Sequence, residues 1–403
     1  MTPHSFHIPV MGIAFTIDTP LKVSHLGIDS AISLVDDILM EKLRRMYCEK
    51  FEMPYHEIHE GIEDFRAKRI TSYLNLIKEL AEKRFERLKD VSRGCSDGLK
   101  QYFDLLPNTS LLKQRFIDLT QKTDRTASLK EFLDENLSMG NIEVNIMTKL
   151  DRENYRHKKP LPNKYNDAHA ALRGYANSHL SSSVIFSAGM NPRLYGYIEE
   201  FDDFYPDENG IIKKRIILKV SDYRSALIQG KFLAKKGLWV SEYRIESGLN
   251  CGGHAFATDG HLLGPILAQF RDRKEELVSE TYAILVHALS QKKRYAPQSA
   301  LPVKITAQGG VGTSEEHDFL LEHYKLDSVG WGTPFLLVPE ATTVDDTTMK
   351  KLSQAKEKDL YLSNISPLGV PFNSLRGNTK DLEKLANIQK TGPGVPVPKN
   401  MSP

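Results

Sequence analysis

The chain has 403 residues, 40% of them apolar, and a formal charge of +2 at pH 7. That length suits one large barrel with insertions or two domains, and the apolar share is ample for a core. Lys and Arg are spread along the chain among acids, which excludes an extended phosphate-binding face of the kind nucleic acids need, and no charge-free stretch reaches membrane-spanning length.

Cys48, Cys95 and Cys251 lie far apart. This argues against a disulfide scaffold or a Cys-x-x-Cys metal knuckle, and for a reducing compartment. The opening Met1-Thr2-Pro3-His4-Ser5-Phe6-His7 lacks the basic flank and apolar run of a secretory signal, so a cytoplasmic protein is expected.

In chain order, short runs rich in Val and Ile predict strands at residues 8–13, 31–35, 142–148, 183–187, 215–220, 238–245, 302–307 and 327–331. The second of these reads equally as part of a helix. Between the second and third, residues 61–91 carry Ile70, Leu74, Ile77, Leu80, Ala81 and Leu88 at three- and four-residue steps among Lys, Glu and Arg, which predicts an amphipathic helix. Residues 222–235 predict a helix with an acidic cap at Asp222 and a stop at Gly237. Residues 265–290 are long enough for one or two helices, and residues 314–323 open on Ser314-Glu315-Glu316, acids that suit a helix start. Alternating strands and helices imply a parallel sheet with right-handed crossovers.

The expected fold is therefore α/β, a (β/α)8 TIM barrel with a large, mainly helical insertion and a C-terminal extension. The barrel is assigned to 1–39 and 139–345, the insertion to 40–138, and the extension and tail to 346–403. The insertion is expected to form a helical layer over one barrel end or a dimer surface. The last residues, 390–403, are too rich in Pro and Gly for regular structure.

Two glycine clusters follow the last two strands: Gln308-Gly309-Gly310-Val311 and Gly332-Thr333. Glycines there let backbone approach a ligand, and a helix opening near Thr313 adds its positive end. Clusters on consecutive terminal strands converge on the usual phosphate position of such barrels. No Gly-Lys-Ser/Thr follows, so this is not a Walker A loop, and no Gly-x-Gly-x-x-Gly marks a dinucleotide fold. Beyond the sixth strand stands Cys251-Gly252-Gly253-His254. Imidazole titrates near neutrality, so His254 there could take a proton from a carbon acid or hydrogen-bond a carbonyl. Cys251 reads as a small packing residue or a thiol facing a ligand. Glu246 and Arg244 alternate on one strand and point to the barrel mouth or to a surface ion pair. His56-Glu57-Ile58-His59-Glu60 lacks zinc spacing and reads as exposed surface, and His254 with His261 lacks an obvious further ligand beyond Asp259, so no metal is expected.

These segments resemble the nitronate monooxygenase family, also called 2-nitropropane dioxygenase-like: FMN-dependent barrels that include flavin-dependent enoyl-acyl-carrier-protein reductases. The family's Ala-Gly-Gly-His segment corresponds to Cys251-Gly252-Gly253-His254, its Ala-Gly-Gly-Ile loop to Gln308-Gly309-Gly310-Val311, and its Gly-Thr-x-Phe to Gly332-Thr333-Pro334-Phe335. Val144-Asn145-Ile146 resembles its Val-Asn-Leu, Ser187-Ala188-Gly189 a turn after the fourth strand, and Pro9-Val10-Met11-Gly12 the opening strand. The resemblance spans roughly residues 1–35 and 140–345. It departs from nitronate oxidisers at Asn250-Cys251, where many carry Glu-Ala.

The resemblance implies FMN as cofactor, held by Met11, Gly12, Asn145, Lys219, Gly252, Gly253, Gln308, Gly309, Gly310, Gly332 and Thr333. It implies catalysis by His254, with Cys251 and Glu246 as further candidates. The expected function is an FMN-dependent oxidoreductase that oxidises a small carbon acid. The alternative is an NAD(P)H-dependent flavin enoyl-thioester reductase, and a third reading is a non-catalytic flavin-binding subunit. A small-molecule substrate is the expected partner, with a homodimer open.

Overall fold

Apolar residues on one face of each predicted strand need a layer of helices to cover them, and a closed parallel barrel supplies it. The computed structural model describes residues 3–90, 96–108, 110–121, 126–187, 189–246, 263–309, 311–363 and 372–391. Its barrel strands are β1 (Phe6–Ile8), β2 (Asp29–Ser33), β3 (Ile142–Met147), β4 (Ser183–Ser187), β5 (Arg215–Val220), β6 (Val240–Glu246), β7 (Lys304–Gln308) and β8 (Ser328–Gly330). All pair in parallel, and β1 closes the ring against β8 with Phe6 opposite Val329. The chain is a TIM barrel.

Every predicted strand is present, two with the predicted bounds and the others with shifted ends. The first was expected at 8–13 but is Phe6–Ile8. Residue 9 is a proline with no N–H for a ladder, and Gly12 takes a φ of 63° in the loop beyond. The second strand starts earlier than its apolar run, at Asp29.

The helices are α1 (Thr19–Val23), α2 (Asp37–Lys50), α3 (Phe65–Lys89), α4 (Asp97–Asp104), α5 (Leu111–Gln121), α6 (Thr126–Asn136), α7 (Asp167–Ala176), α8 (Pro192–Tyr197), α9 (Tyr223–Ala234), α10 (Leu263–Gln291), α11 (Ser314–Tyr324), α12 (Asp346–Gln354) and α13 (Thr379–Thr391). Asp222 caps α9 by accepting the Ser225 N–H at 2.7 Å, and Gly237 beyond its end has a φ of 76°. α10 is broken at Arg273, whose φ of −120° is not helical.

The predicted stripe of α3 is buried, but not over a barrel end. α3 lies against α2 and α7, and its Ile70, Leu74 and Ile77 share one core with Ile32 of β2 and Val144 of β3. It therefore holds the outer-ring position between β2 and β3. Helices α4 to α6 build a second core with Leu99, Tyr102, Phe103, Phe116 and Leu133 against Phe85 and Leu88 of α3 and the segment Val23–Ile28. After the barrel, α12, a two-stranded antiparallel ladder (Leu360–Ser363 with Phe372–Leu375) and α13 follow.

The chain returns to β3 through one crowded point. The Gly140 N–H donates to the Ser24 carbonyl at 2.7 Å, and a Cβ at Gly140 would sit 2.1 Å from the Ile28 carbonyl oxygen. Backbone cannot yield there without disturbing β2. Gly140→Ala is expected to lower stability by about 2–3 kcal/mol, read as a shift in the urea midpoint. A midpoint equal to wild type would show that the approach relaxes freely.

Candidate active site

The inward side chains of the barrel fall into tiers drawn from alternate strands, as the register around a sheared ring requires. Asp29, Ser183, Glu242 and Ser328 lie nearest the N-terminal end. His7, Glu143, Ile217 and Thr306 come next, then Ala31, Ile185, Arg244 and Gly330. Contacts between neighbouring tiers agree: His7 Nδ1 lies 3.0 Å from Ser328 Oγ, and Thr306 donates to Glu242 at 2.6 Å. Such interiors are usually branched and apolar. This one is ionic.

Arg244 is the centre of that interior. It is 2% exposed, with Nε donating to Glu242 at 2.8 Å and Nη1 lying 3.1 Å from Glu143. The surface ion pair considered for Arg244 is therefore not what forms. One guanidinium serves two buried carboxylates, so one of them keeps a proton towards neutrality. Burial pushes the Glu143 carboxyl up to about 7; Arg244 opposes this, while Glu242 and Asp29 add to it. Burial, followed by the charges of Arg244, Lys219 and Lys304, holds His7 well below its usual range, and its Nε2 has no hydrogen-bond partner among the described residues. Below Glu143 a cavity of about 190 Å³ opens towards the N-terminal end, lined in part by Asp29, Arg215, Trp239 and Lys304. That is the end of a TIM barrel where catalysis is not found.

A pH prediction follows from Glu143. Its folded value of about 7 lies above the ordinary 4.5, so between these pH values the native state binds more protons than the unfolded chain. Its contribution is therefore lost as pH rises through that window. The stability difference between wild type and Glu143→Gln should fall by a few kcal/mol as pH rises through this window, at about 1.4 kcal/mol per pH unit. Urea titrations at several pH values would test it, and a flat difference would remove Glu143 as the titrating group.

Above the ionic tiers, at the C-terminal ends of the strands, the structure gathers most of the described candidates. Asn145 of β3, Lys219 of β5 and Gln308 of β7 form the next inward tier, with Glu246 of β6 and Gly332 after β8 just beyond. Lys219 forms an ion pair with Glu246, and Gln308 Nε2 donates to Glu246 at 2.8 Å. The Lys219 side chain is 16% exposed, so it is not a surface lysine. Asn145 is 6% exposed. Met11, 9% exposed, donates its N–H to Thr16 Oγ1, and among the described residues only its Sδ, at 3.8 Å, lies within 4 Å of a Cβ built at Gly332. Packing among the described residues therefore does not explain the missing side chain at Gly332. Gly309 has a φ of 83°, a conformation that L side chains rarely adopt, and donates its N–H to the Gly330 carbonyl. A Cβ at Gly330 would meet His7 Nε2 at 2.7 Å and Gln308 Cγ at 3.0 Å, so this glycine makes room for both. Thr333 opens a 3₁₀ turn, Thr333–Leu337, next to Gly332.

One expectation is corrected here. The helix opening near Thr313 was expected to add its positive end to a phosphate site. Thr313 and Glu316 instead form a capping box, and Glu316 Oε2 accepts the N–H of Gly312 at 2.7 Å and of Thr313 at 3.2 Å. An anion at the Gly312 and Thr313 N–H groups would have to displace that carboxylate.

Gly310, Cys251, Gly252, Gly253 and His254 lie outside the described residues, as do Ala188, Asp259 and His261. The His56 to Glu60 segment is largely exposed. Among the described residues no group of three or more His, Cys, Asp or Glu is placed to hold a metal ion, and no helix is long and apolar enough to cross a membrane. Sequence reasoning missed His7, Glu143 and Glu242. A signal existed: Glu143-x-Asn145, Glu242-x-Arg244-x-Glu246 and Lys304-x-Thr306-x-Gln308 place polar residues at every second position of buried strands.

No family model matches the chain, and no curated protein matches it. Among solved structures it is similar to that of FabK from Thermotoga maritima, at 12% identity and a TM-score of 0.42, over 97% of this chain and 76% of that one. It is similar to the enoyl reductase domain of MlnA from the macrolactin biosynthesis cluster of Bacillus amyloliquefaciens, at 15% identity and a TM-score of 0.37, over 71% of this chain and 61% of that one. It is also similar to nitroalkane oxidase from Streptomyces ansochromogenes, at 10% identity and a TM-score of 0.39, over 92% of this chain and 76% of that one. Similarity at these scores does not bear on what this chain binds.

Proposed function

We propose that the chain is an FMN-dependent oxidoreductase of the nitronate monooxygenase type, acting on a small carbon acid with His254 as the proton acceptor. The observation that carries this reading is the convergence of Asn145, Lys219, Glu246, Gln308, Gly309, Gly332 and Thr333 on the catalytic end of the barrel. Of these, Asn145, Gln308, Gly309, Gly332 and Thr333 lie in segments that resemble motifs of an FMN-binding family. The described part of the site also fits the group: a glycine at 332 that packing among the described residues does not explain, a left-handed glycine after β7, and a lysine at the mouth.

In this reading backbone at Gly309, Gly310 and Gly332 and the Thr333 hydroxyl hold the phosphate. Asn145 and Lys219 contact the ring system or ribityl chain, and Met11 closes the side near Gly332. FMN supplies the electron transfer when bound. The protein binds and orients substrate, and His254 takes its proton.

The absorbance spectrum of the purified protein tests the cofactor. Bands near about 370 and 450 nm are expected, and a colourless protein that takes up no FMN would sink the reading. Anaerobic mixing with NAD(P)H tests the reaction. Slow or absent bleaching is expected of an oxidase-like enzyme, and rapid bleaching would favour the enoyl-thioester reductase. Thr333→Val is expected to weaken FMN binding about ten- to hundredfold, the loss of one hydrogen bond to a charged group, or about 1.5–3 kcal/mol. Fluorescence titration measures it, and an unchanged Kd would take Thr333 out of the phosphate site.

A further inference from the structure

Among the described residues two ionic groups occupy the barrel, one in its interior and one at its mouth. In the interior one arginine, Arg244, faces two carboxylates, Glu143 and Glu242. At the mouth, among the described residues, Lys219 pairs with the Glu246 carboxylate, which also accepts from the Gln308 amide. Both mouth side chains are largely buried, at 16% and 13% exposure, so solvent screens the pair only weakly. An ionised carboxylate can only accept hydrogen bonds, so the Gln308 amide must turn its nitrogen to Glu246 and its oxygen away.

We propose that Glu246 is a positioning residue that sets the charge a bound flavin meets, by neutralising Lys219 and orienting the Gln308 amide. This rests on the FMN reading. Without Glu246, the positive charge of Lys219 would be less compensated towards the ring. A reduced flavin carries more negative charge than an oxidised one, so a bare cation favours reduction and a paired cation does so less. Glu246 therefore keeps the cofactor easier to reoxidise, and it acts through Lys219 rather than on the substrate.

The test is a charge cycle on the FMN-loaded protein: wild type, Glu246→Gln, Lys219→Met and the double variant. Glutamine keeps an acceptor for Gln308 and for Lys219 while removing the negative charge. The midpoint potential of bound FMN is read by dithionite titration against reference dyes, and Kd by fluorescence. The potential is expected to rise in E246Q, to fall in K219M, and to return close to wild type in the double variant. A role confined to packing would change Kd or stability without this pattern of signs. An unchanged potential in E246Q, or shifts of the same sign in E246Q and K219M, would overturn the inference. A wild-type protein that takes up no FMN fails the cofactor reading instead. The pairing is then read on the ligand-free protein, by labelling Lys219 with an amine-reactive reagent at fixed pH and quantifying the peptide. Severalfold faster labelling in E246Q supports the pairing, and equal rates overturn it.

Discussion

Replacing His254 by alanine is expected to leave FMN bound and to lower turnover by about 10²–10⁴-fold, the usual cost of losing a general base or substrate donor. The expectation comes from its place next to Gly252 and Gly253, directly after the strand that carries Glu246 to the mouth. The two possible roles separate by substrate. If His254 takes the proton, an already ionised substrate should recover much of the lost rate. Equal loss on neutral and ionised substrates would assign it to positioning. Wild-type turnover in H254A on every accepted substrate would remove it from the mechanism, leaving Cys251 and Glu246 as the next residues to vary.

Arg244→Met is expected to destabilise the protein by about 3–5 kcal/mol, because it leaves Glu143 and Glu242 buried around an uncharged side chain. The loss should shrink at low pH, where those carboxyls are protonated. The triple variant Arg244→Met, Glu143→Gln, Glu242→Gln should recover a large part of the stability, since no buried charge of the cluster then lacks its partner. Denaturant midpoints for the three proteins decide this. A single variant within about 1 kcal/mol of wild type would mean that water reaches the carboxylates and that the cluster is not dry.

Strands and helices were legible where the signal is local. The runs at 183–187 and 215–220 coincide with β4 and β5, and Asp222 caps α9 as its position implies. Alternation within a strand and apolar steps of three and four along α3 depend only on a residue's near neighbours. The first strand was misplaced because its apolar run continues past Pro9, where the ladder has already ended.

Local patterning also brought the glycines and Gly332-Thr333 to strand ends, and so to one end of a barrel. It did not show that α3 belongs to the outer ring, since an amphipathic stripe says which face is buried and not against what. Nor did it show that Glu316 occupies the N–H groups at the start of α11, or that Arg244 sits between Glu143 and Glu242 while Glu246 turns to Lys219. Residues 143, 219, 242, 244, 246 and 308 lie on four strands, β3, β5, β6 and β7. Their partners depend on the stagger accumulated around the closed ring, a property of the whole barrel that no single strand encodes.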